Sequence, residues 1–188
     1  MTNRMPVLFA AALIGLSLAA TVPAGAYTIK NADIIGSYTP EDAGHGSRRG
    51  RDLPAVIVGN PFQAPPDIVA QAVSQGMRDG ARGPSMSGQD AARAPQRVIW
   101  QLGGGTRTGS EICDRRNPLG LGAGGANLAV VATYCRGDQA MTQVYGSMDG
   151  VADPNDPEFV NFIRQMTVNL FPPQNPEFRG DHNRHGRR

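Results

Sequence analysis

The sequence predicts an α+β fold, a two-layer sandwich of order β-α-β-β-β-α in which a mainly antiparallel sheet carries two helices on one face. Three observations support this: β-branched runs mark short strands, two segments repeat apolar residues at helical spacing, and a tight reversal joins the two longest strands. The 188 residues include 24 Gly and 15 Pro. That composition excludes a polytopic membrane protein, a coiled coil and a large multidomain enzyme.

The first predicted strand and the first predicted helix are neighbours in the sequence. Residues 56–58 form a β-branched run that a Gly-Asn-Pro sequence ends, as is typical of a short buried strand. Asp67 then begins a helix predicted over 67–79, and Gly80 is placed to end it. The apolar stripe of this helix consists of Ile68, Val69, Ala72, Val73 and Met77.

Three strands follow this helix. The first is predicted over 97–102, with alternating side chains on its two faces. The second, over 127–135, has few polar residues on either face, which predicts a central position. A tight turn at Gly137-Asp138 leads into its antiparallel partner over 140–148. On the first of these strands, Val98, Trp100 and Leu102 point to one side and Ile99 and Gln101 to the other.

The last predicted element is a helix with a clear start. Asp156 is its N-cap, Pro157 its first helical residue and Glu158 lies in its first turn. Its apolar stripe consists of Phe159, Phe162, Ile163, Met166 and Leu170, and Pro172-Pro173 ends the helix.

The composition varies along the chain and predicts five parts. They are a signal peptide at 1–26, a flexible leader at 27–54 with a possible edge strand from Tyr27 to Ile35, a single domain at 55–172, long loops within it at 80–96 and 103–125, and a disordered tail at 173–188.

The N-terminus has the pattern of an export signal. Arg4 precedes an apolar run over 6–20, and Ala24 and Ala26 provide the small residues that a signal peptidase accepts. The run is too short to span a bilayer comfortably as a helix. We therefore predict cleavage after Ala26 and a periplasmic location, the alternative being an inner-membrane protein held by an uncleaved N-terminal anchor. No transmembrane span is expected after cleavage.

Cys113 and Cys135 are the only cysteines. An even number of cysteines in an oxidising compartment predicts a disulfide. The alternative, a redox pair, needs closer spacing such as C-x-x-C to lower the pKa of one thiol. A structural disulfide is the prediction.

The charge and the motifs indicate neither nucleic-acid binding nor a catalytic centre. The formal net charge is +2 and the seventeen arginines are scattered along the chain. The G-x-G-x-x-G string at 120–125 lacks the helix that would receive a phosphate. The histidines, His45, His182 and His185, lie in segments predicted to be flexible, where no base is held in place. No catalytic residue and no cofactor are therefore predicted.

Three acids before the last helix are weak candidates for metal ligands. Asp149, Asp153 and Asp156 lie close together in the sequence and offer the oxygen ligands that Ca²⁺ prefers. Their spacing departs from the D-x-[DN]-x-[DN]-G order of a calcium loop. Helix capping and a turn account for them, so no metal site is predicted.

Three segments resemble small exported proteins of unknown function from Gram-negative bacteria, many of them similar to lipoproteins. They are Val58-Gly59-Asn60-Pro61-Phe62, Ala132-Thr133-Tyr134-Cys135-Arg136-Gly137, and Asp156-Pro157-Glu158-Phe159 with the helix that follows to Pro173. The resemblance implies an envelope location and no particular activity. This chain lacks the lipid-attachment cysteine of the lipoprotein-like members, so a lipid anchor is not implied.

These observations lead to one main functional hypothesis. The chain is expected to be an exported periplasmic accessory protein that binds another envelope protein or a lipid, without catalysis, through an open sheet face or an edge strand. Two alternatives stay open: a small hydrolase, and a protein that binds Ca²⁺ or a small ligand.

Overall fold

The computed structural model describes residues 26–39, 53–80, 89–104, 108–116 and 127–172, and these form one sheet with helices. In chain order the elements are β1 (Tyr27–Ile34), β2 (Ala55–Val58), α1 (Pro66–Gly80), α2 (Gln89–Arg93), β3 (Gln96–Leu102), α3 (Gly109–Cys113), β4 (Asn127–Arg136), β5 (Gln139–Asp149) and α4 (Pro157–Leu170). The α+β class predicted from the sequence is confirmed.

The five strands lie in the order β1-β5-β4-β3-β2. Three of the four pairs are antiparallel, and β2 is parallel to β3. A parallel pair needs a crossover connection, and α1 and α2 lie in the segment that joins β2 to β3. The two longest strands, β4 and β5, turn at Gly137-Asp138, where Gly137 has a φ of 63° that suits a tight hairpin.

One face of the sheet, which we call the helix face, carries α1 and α4. Its centre is Trp100 on β3, whose indole is fully buried and whose Nε1 donates to the sulfur of Met77 on α1 at 3.1 Å. Phe162 of α4 is also fully buried and lies 5.5 Å, ring to ring, from Tyr27 of β1. The strand residues of this face are Val98, Trp100, Leu102, Leu128, Val130, Ala132, Tyr134, Val144 and Met148. The main apolar core therefore lies between the sheet and the two long helices.

The two long helices contact each other closely at Gly76 of α1. A Cβ on Gly76 would lie 2.7 Å from both the Cβ of Ile163 and the carbonyl oxygen of Val160. Only a glycine at this position allows the backbones of the two helices to lie this close together.

The opposite side of the sheet, the second face, has a smaller apolar cluster and the short helix α3. The cluster consists of Ile99, Ile112, Cys113, Val131, Cys135 and Ala140. Cys113 at the end of α3 forms a disulfide with Cys135 of β4, with a Cα–Cα distance of 5.7 Å. Gly109 at the start of α3 lies so close to the sheet that a Cβ there would be 2.8 Å from the Cβ of Ala140. The predicted disulfide is confirmed, and it fixes α3 to the second face.

The structure differs from the sequence-based expectations in three segments. In the segment expected to be a flexible leader, β1 takes the place of the possible edge strand and pairs with β5 on both sides of an irregularity at Lys30, so the sheet begins at Tyr27 and not at residue 55. The expected loop at 80–96 contains α2 and the start of β3, and the expected loop at 103–125 contains α3. Residues 1–25, most of the predicted signal peptide, and the predicted tail at 173–188 lie outside the described residues.

Within the described ranges, no helix combines the length and the apolar character needed to cross a membrane.

Candidate functional site

Four residues at the centre of the second face form a square of alternating polarity. Ile99 and Gln101 of β3 lie opposite Thr133 and Val131 of β4, respectively. Because directly paired residues point to the same side of a sheet, all four side chains share the second face. Gln101 and Thr133 therefore occupy one diagonal of the square, and Ile99 and Val131 the other.

The two polar residues of the square are buried without full hydrogen bonding. Gln101 is 2% exposed and Thr133 is 0% exposed. Neither Gln101 Oε1 nor Thr133 Oγ1 has a hydrogen-bond partner among the described residues. A buried polar atom without a partner costs about 1–3 kcal/mol. Such atoms are rare in folded proteins, so the square is the least satisfied part of this core.

Neutral polar side chains continue from the square onto β5. Gln143 is paired with Thr133 and is also buried, and Ser147, which is four residues further along β5 on the same face, is buried too. Tyr145, paired with Val131, is half-buried. Loss of solvation raises the pKa of Tyr145, and the negative charge of Asp33 raises it further. The phenol therefore stays neutral at physiological pH, and the centre of this face presents uncharged hydrogen-bonding groups.

Arg97 is a buried charge on the second face, and its partners are all backbone carbonyls. Its guanidinium donates to the oxygens of Ala94, Gly137 and Cys113 at 3.3, 2.8 and 2.7 Å. Burial lowers the pKa of Arg97, and the nearby positive charge of Arg115 lowers it further. An arginine stays protonated in proteins despite such shifts. Arg97 thus joins the start of β3, the β4–β5 turn and the end of α3, and has a structural role.

The three acids considered as metal ligands each have a local structural partner. Asp149 accepts from the side-chain amide of Asn127, at 2.6 Å. Asp153 accepts from the backbone and side chain of Asn155 in a turn, and Asp156 accepts from the backbone N–H of Glu158 at the N-cap of α4. In the part of the chain that the structure describes, no three His, Cys, Asp or Glu side chains are grouped to hold a metal ion.

The edge strands provide weaker candidate surfaces than the second face. Among the described residues, β1 pairs only with β5 and β2 only with β3. The β1 ladder is interrupted at Lys30, an exposed charged residue. Bulges and lysines on an edge strand discourage pairing with another chain. The other edge strand, β2, has only four residues.

Several sequence candidates lie outside the described residues: His45, His182, His185 and the glycine-rich string at 120–125. The sequence does place Gln101 on the side opposite Trp100. It does not single out the diagonal pair with Thr133, because that pair depends on the register between β3 and β4. A glutamine and a threonine on the same buried face of adjacent strands are the only signal that would have indicated it.

Comparison with known proteins gives limited information about this chain. No family model matches it, and no curated protein matches significantly. Among solved structures, it is similar to a PelC dodecamer from Paraburkholderia phytofirmans, at 12% identity and a TM-score of 0.40, over 78% of this chain and 97% of that chain. A single-residue variant of that dodecamer gives 13% identity, the same coverage and the same TM-score. Likeness at this level carries no argument about function.

Proposed function

We propose that this chain is an exported, non-enzymatic protein of the cell envelope that binds another envelope protein on the second face of its sheet. The observation that carries the proposal is the pair of buried, unpartnered polar atoms, Gln101 Oε1 and Thr133 Oγ1. Proteins keep buried polar groups without partners, despite their cost in stability, where a function requires those groups.

The choice of the second face rests on its contrast with the helix face. The strand residues of the helix face are covered by α1 and α4 and are almost entirely apolar. On the second face, Val58 of β2 and Ala129 of β4 are only half-buried, and the centre is polar. A partner that binds there gains hydrogen bonds as well as apolar contact.

A polypeptide suits this surface better than a lipid does. An acyl chain would satisfy neither Gln101 Oε1 nor Thr133 Oγ1, and the centre of the face offers no described cation for an anionic headgroup, since Arg97 is engaged with three carbonyls. A polypeptide brings both apolar side chains and neutral hydrogen-bonding groups.

Export is supported by the sequence of the N-terminus and by the disulfide. Disulfides persist in oxidising compartments such as the periplasm, and Cys113–Cys135 is buried in this fold. The predicted cleavage site directly precedes β1, so the mature chain would begin with the first residue of the sheet. Mass spectrometry of the protein recovered from the periplasm should give Tyr27 as its N-terminal residue. Recovery of an intact N-terminus in the membrane fraction would favour the anchored alternative instead.

The binding surface is tested by photocrosslinking in cells. A photoreactive amino acid is placed at Val58 or Ala129 on the second face, and at Val168, an exposed residue of α4, as the control. We expect one envelope protein, identified by mass spectrometry, to be captured from both second-face positions and not from Val168. Capture of lipid alone, equal capture from all three positions, or no capture would contradict the proposal.

A further inference from the structure

We infer that the folded sheet protects the Ala26–Tyr27 peptide bond from hydrolysis, so that removal of the signal peptide must precede the pairing of β1 with β5. This inference rests on the export part of the proposed function, in which a signal peptidase cleaves after Ala26. Cleavage and folding then compete for the same residues.

The carbonyl oxygen of Ala26 is held inside the sheet. It accepts a hydrogen bond from the backbone N–H of Asp149, at the end of β5, at 3.2 Å. Hydrolysis adds water across this amide and leaves a carboxylate on Ala26 and an ammonium group on Tyr27. In the tetrahedral intermediate the same oxygen becomes an oxyanion, which the hydrogen-bond donors of a peptidase must contact. Because the oxygen points toward β5, the sheet itself keeps those donors away.

The residues that follow the bond are held by β5 as well. Peptide segments are recognised in an extended form, through their main-chain hydrogen-bonding groups and alternate side chains. The ladder between β1 and β5 is regular at its start, and its irregularity comes only after Ile29. The first three pairs are Tyr27 with Met148, Thr28 with Ser147 and Ile29 with Gly146. A peptidase therefore competes with β5 for the same stretch of main chain.

The side chain of Tyr27 is anchored on the helix face. Its ring lies 5.5 Å from the ring of Phe162, centroid to centroid, and its hydroxyl accepts from the side-chain amide of Asn161 at 3.1 Å. Both partners belong to α4. The residue after the bond is thus covered by α4 on one face and by β5 along one edge. The other edge of β1 does not give access to the bond, because the Ala26 oxygen points the opposite way.

The order of cleavage and folding decides where the chain ends up. A peptidase cuts a folded protein at segments that have opened locally. The start of β1 must leave both β5 and α4 before the Ala26–Tyr27 bond can enter an active site. A chain that forms its sheet first keeps its N-terminal segment and stays anchored, whereas a chain that meets the peptidase first begins with Tyr27.

The test compares two full-length chains that have the same residues around the bond. One is the folded wild type, and the other is Val144→Asp, in which a charge at a fully buried position of β5 should prevent folding. Circular dichroism verifies the two states. Both are incubated with purified bacterial signal peptidase in detergent, and mass spectrometry follows the product that begins with Tyr27. We expect the folded wild type to be cleaved at least about tenfold more slowly, since β1 opens only transiently.

Two phenylalanines of α4 separate local protection from overall stability. Phe162→Ala removes the ring on which Tyr27 packs. Phe159→Ala removes an equally buried ring that packs on Phe62 instead, at 4.9 Å. Both variants should lose a similar amount of stability. Only Phe162→Ala should raise the cleavage rate of the folded chain, by about tenfold.

A milder pair on the same helix keeps the test valid if Phe162→Ala does not fold. Asn161→Ala removes the hydrogen bond to the Tyr27 hydroxyl with little loss of core packing, and should raise the cleavage rate about threefold. Asn169→Ala is its control, because the Asn169 side chain donates within the helix, to the carbonyl oxygen of Gln165 at 2.8 Å. Its cleavage rate should equal that of the wild type.

Hydrogen exchange tests the central contact directly. The amide of Asp149 should exchange more slowly in the full chain than in a chain that begins with Tyr27, because only the full chain carries the Ala26 carbonyl. The amide of Asn155, which donates to Asp153 at 2.8 Å, should exchange equally in both. Equal exchange of the Asp149 amide in the two chains would disprove the contact.

The outcomes distinguish the inference from the function on which it rests. If Val144→Asp gives no product that begins with Tyr27, the predicted cleavage site is wrong and the export part of the proposed function loses its support. Equal cleavage rates of the wild type and Val144→Asp would overturn the protection and leave export intact. Equal acceleration by Phe162→Ala and Phe159→Ala would show that the bond opens only on overall unfolding, which overturns the role given to the contacts of β1.

Discussion

The two faces of the sheet are built from the same strands but are stabilised in different ways. On the helix face, apolar side chains from the strands pack against two long amphipathic helices, and burial of apolar area is the main stabilising term. On the second face, the described covering element is the five-residue helix α3. It is fixed there by a disulfide and by the hydrogen bond from Arg97 to the carbonyl of Cys113.

The contrast indicates which face of the sheet supplies most of the stability of the chain. The helix face supplies a core large enough to hold the sheet together. The stability that this core supplies allows the second face to keep two buried polar atoms without described partners, although each costs about 1–3 kcal/mol. Total stabilities are typically only 5–15 kcal/mol, so this cost is a substantial fraction.

The largest expected effect comes from breaking the helix face at its centre. Trp100→Ala removes a fully buried indole and its hydrogen bond to Met77, and should lower the free energy of unfolding by about 3–5 kcal/mol. Urea denaturation of the variant measures the loss. Ile99→Ala, the neighbouring position on the second face, is the comparison and should cost less. If Ile99→Ala costs as much as Trp100→Ala, the helix face is not the main source of stability.

The next largest effect is expected from removal of the disulfide on the second face. The disulfide closes a loop between two residues that are 22 positions apart, so the double variant Cys113→Ala, Cys135→Ala should lose roughly 3 kcal/mol of stability. Hydrogen exchange should increase more in α3 than in α1, because the crosslink holds α3 against β4 and α1 lies on the other face of the sheet. Thiol titration of the denatured, unreduced wild type should find no free thiol. Two free thiols would disprove the crosslink.

A third test concerns the contact between the two long helices. Alanine is favoured over glycine in a helix by about 1 kcal/mol, but a Cβ at residue 76 would overlap the backbone carbonyl of Val160 and the Cβ of Ile163. Overpacking of this kind costs about 1–3 kcal/mol. Because the carbonyl cannot rotate away, we expect Gly76→Ala to lower the melting temperature. Gln75→Ala at the adjacent exposed position should change it little, and a higher melting temperature for Gly76→Ala would mean that the helices can separate freely.

The helix face could be predicted from the sequence because its pattern is local. The apolar stripes of α1 and α4 and the alternation along β3 place Trp100 and Phe162 in the core without any knowledge of pairing. The disulfide was equally accessible, because only two cysteines exist. The class and the two-helix layer therefore follow from periodicity alone.

The second face could not be predicted in the same way, because its features depend on contacts between distant segments. β1 contains Lys30 and Asp33 and shows no strong alternation, so its place in the sheet is decided by its pairing with β5. The five-residue α3 is too short to be marked by a helical period, and the disulfide and Gly109 fix it to the sheet. The diagonal of Gln101 and Thr133 exists only in the observed register of β3 and β4.

The smallest expected effect decides between two readings of Asp156. As the N-cap of α4, its side chain accepts from the backbone N–H of Glu158 at 2.9 Å, so Asp156→Ala should cost about 1 kcal/mol. Asparagine caps a helix about as well as aspartate, so Asp156→Asn should retain nearly all of the stability. A calcium ligand would behave differently, because replacing a carboxylate by a neutral amide removes one negative charge from the site and weakens the binding of the ion. Thermal melts of all three proteins, with and without millimolar calcium, separate these roles. We expect the Asn variant to match the wild type in both conditions, whereas a calcium-dependent rise in melting temperature that Asp156→Asn abolishes would restore the metal site.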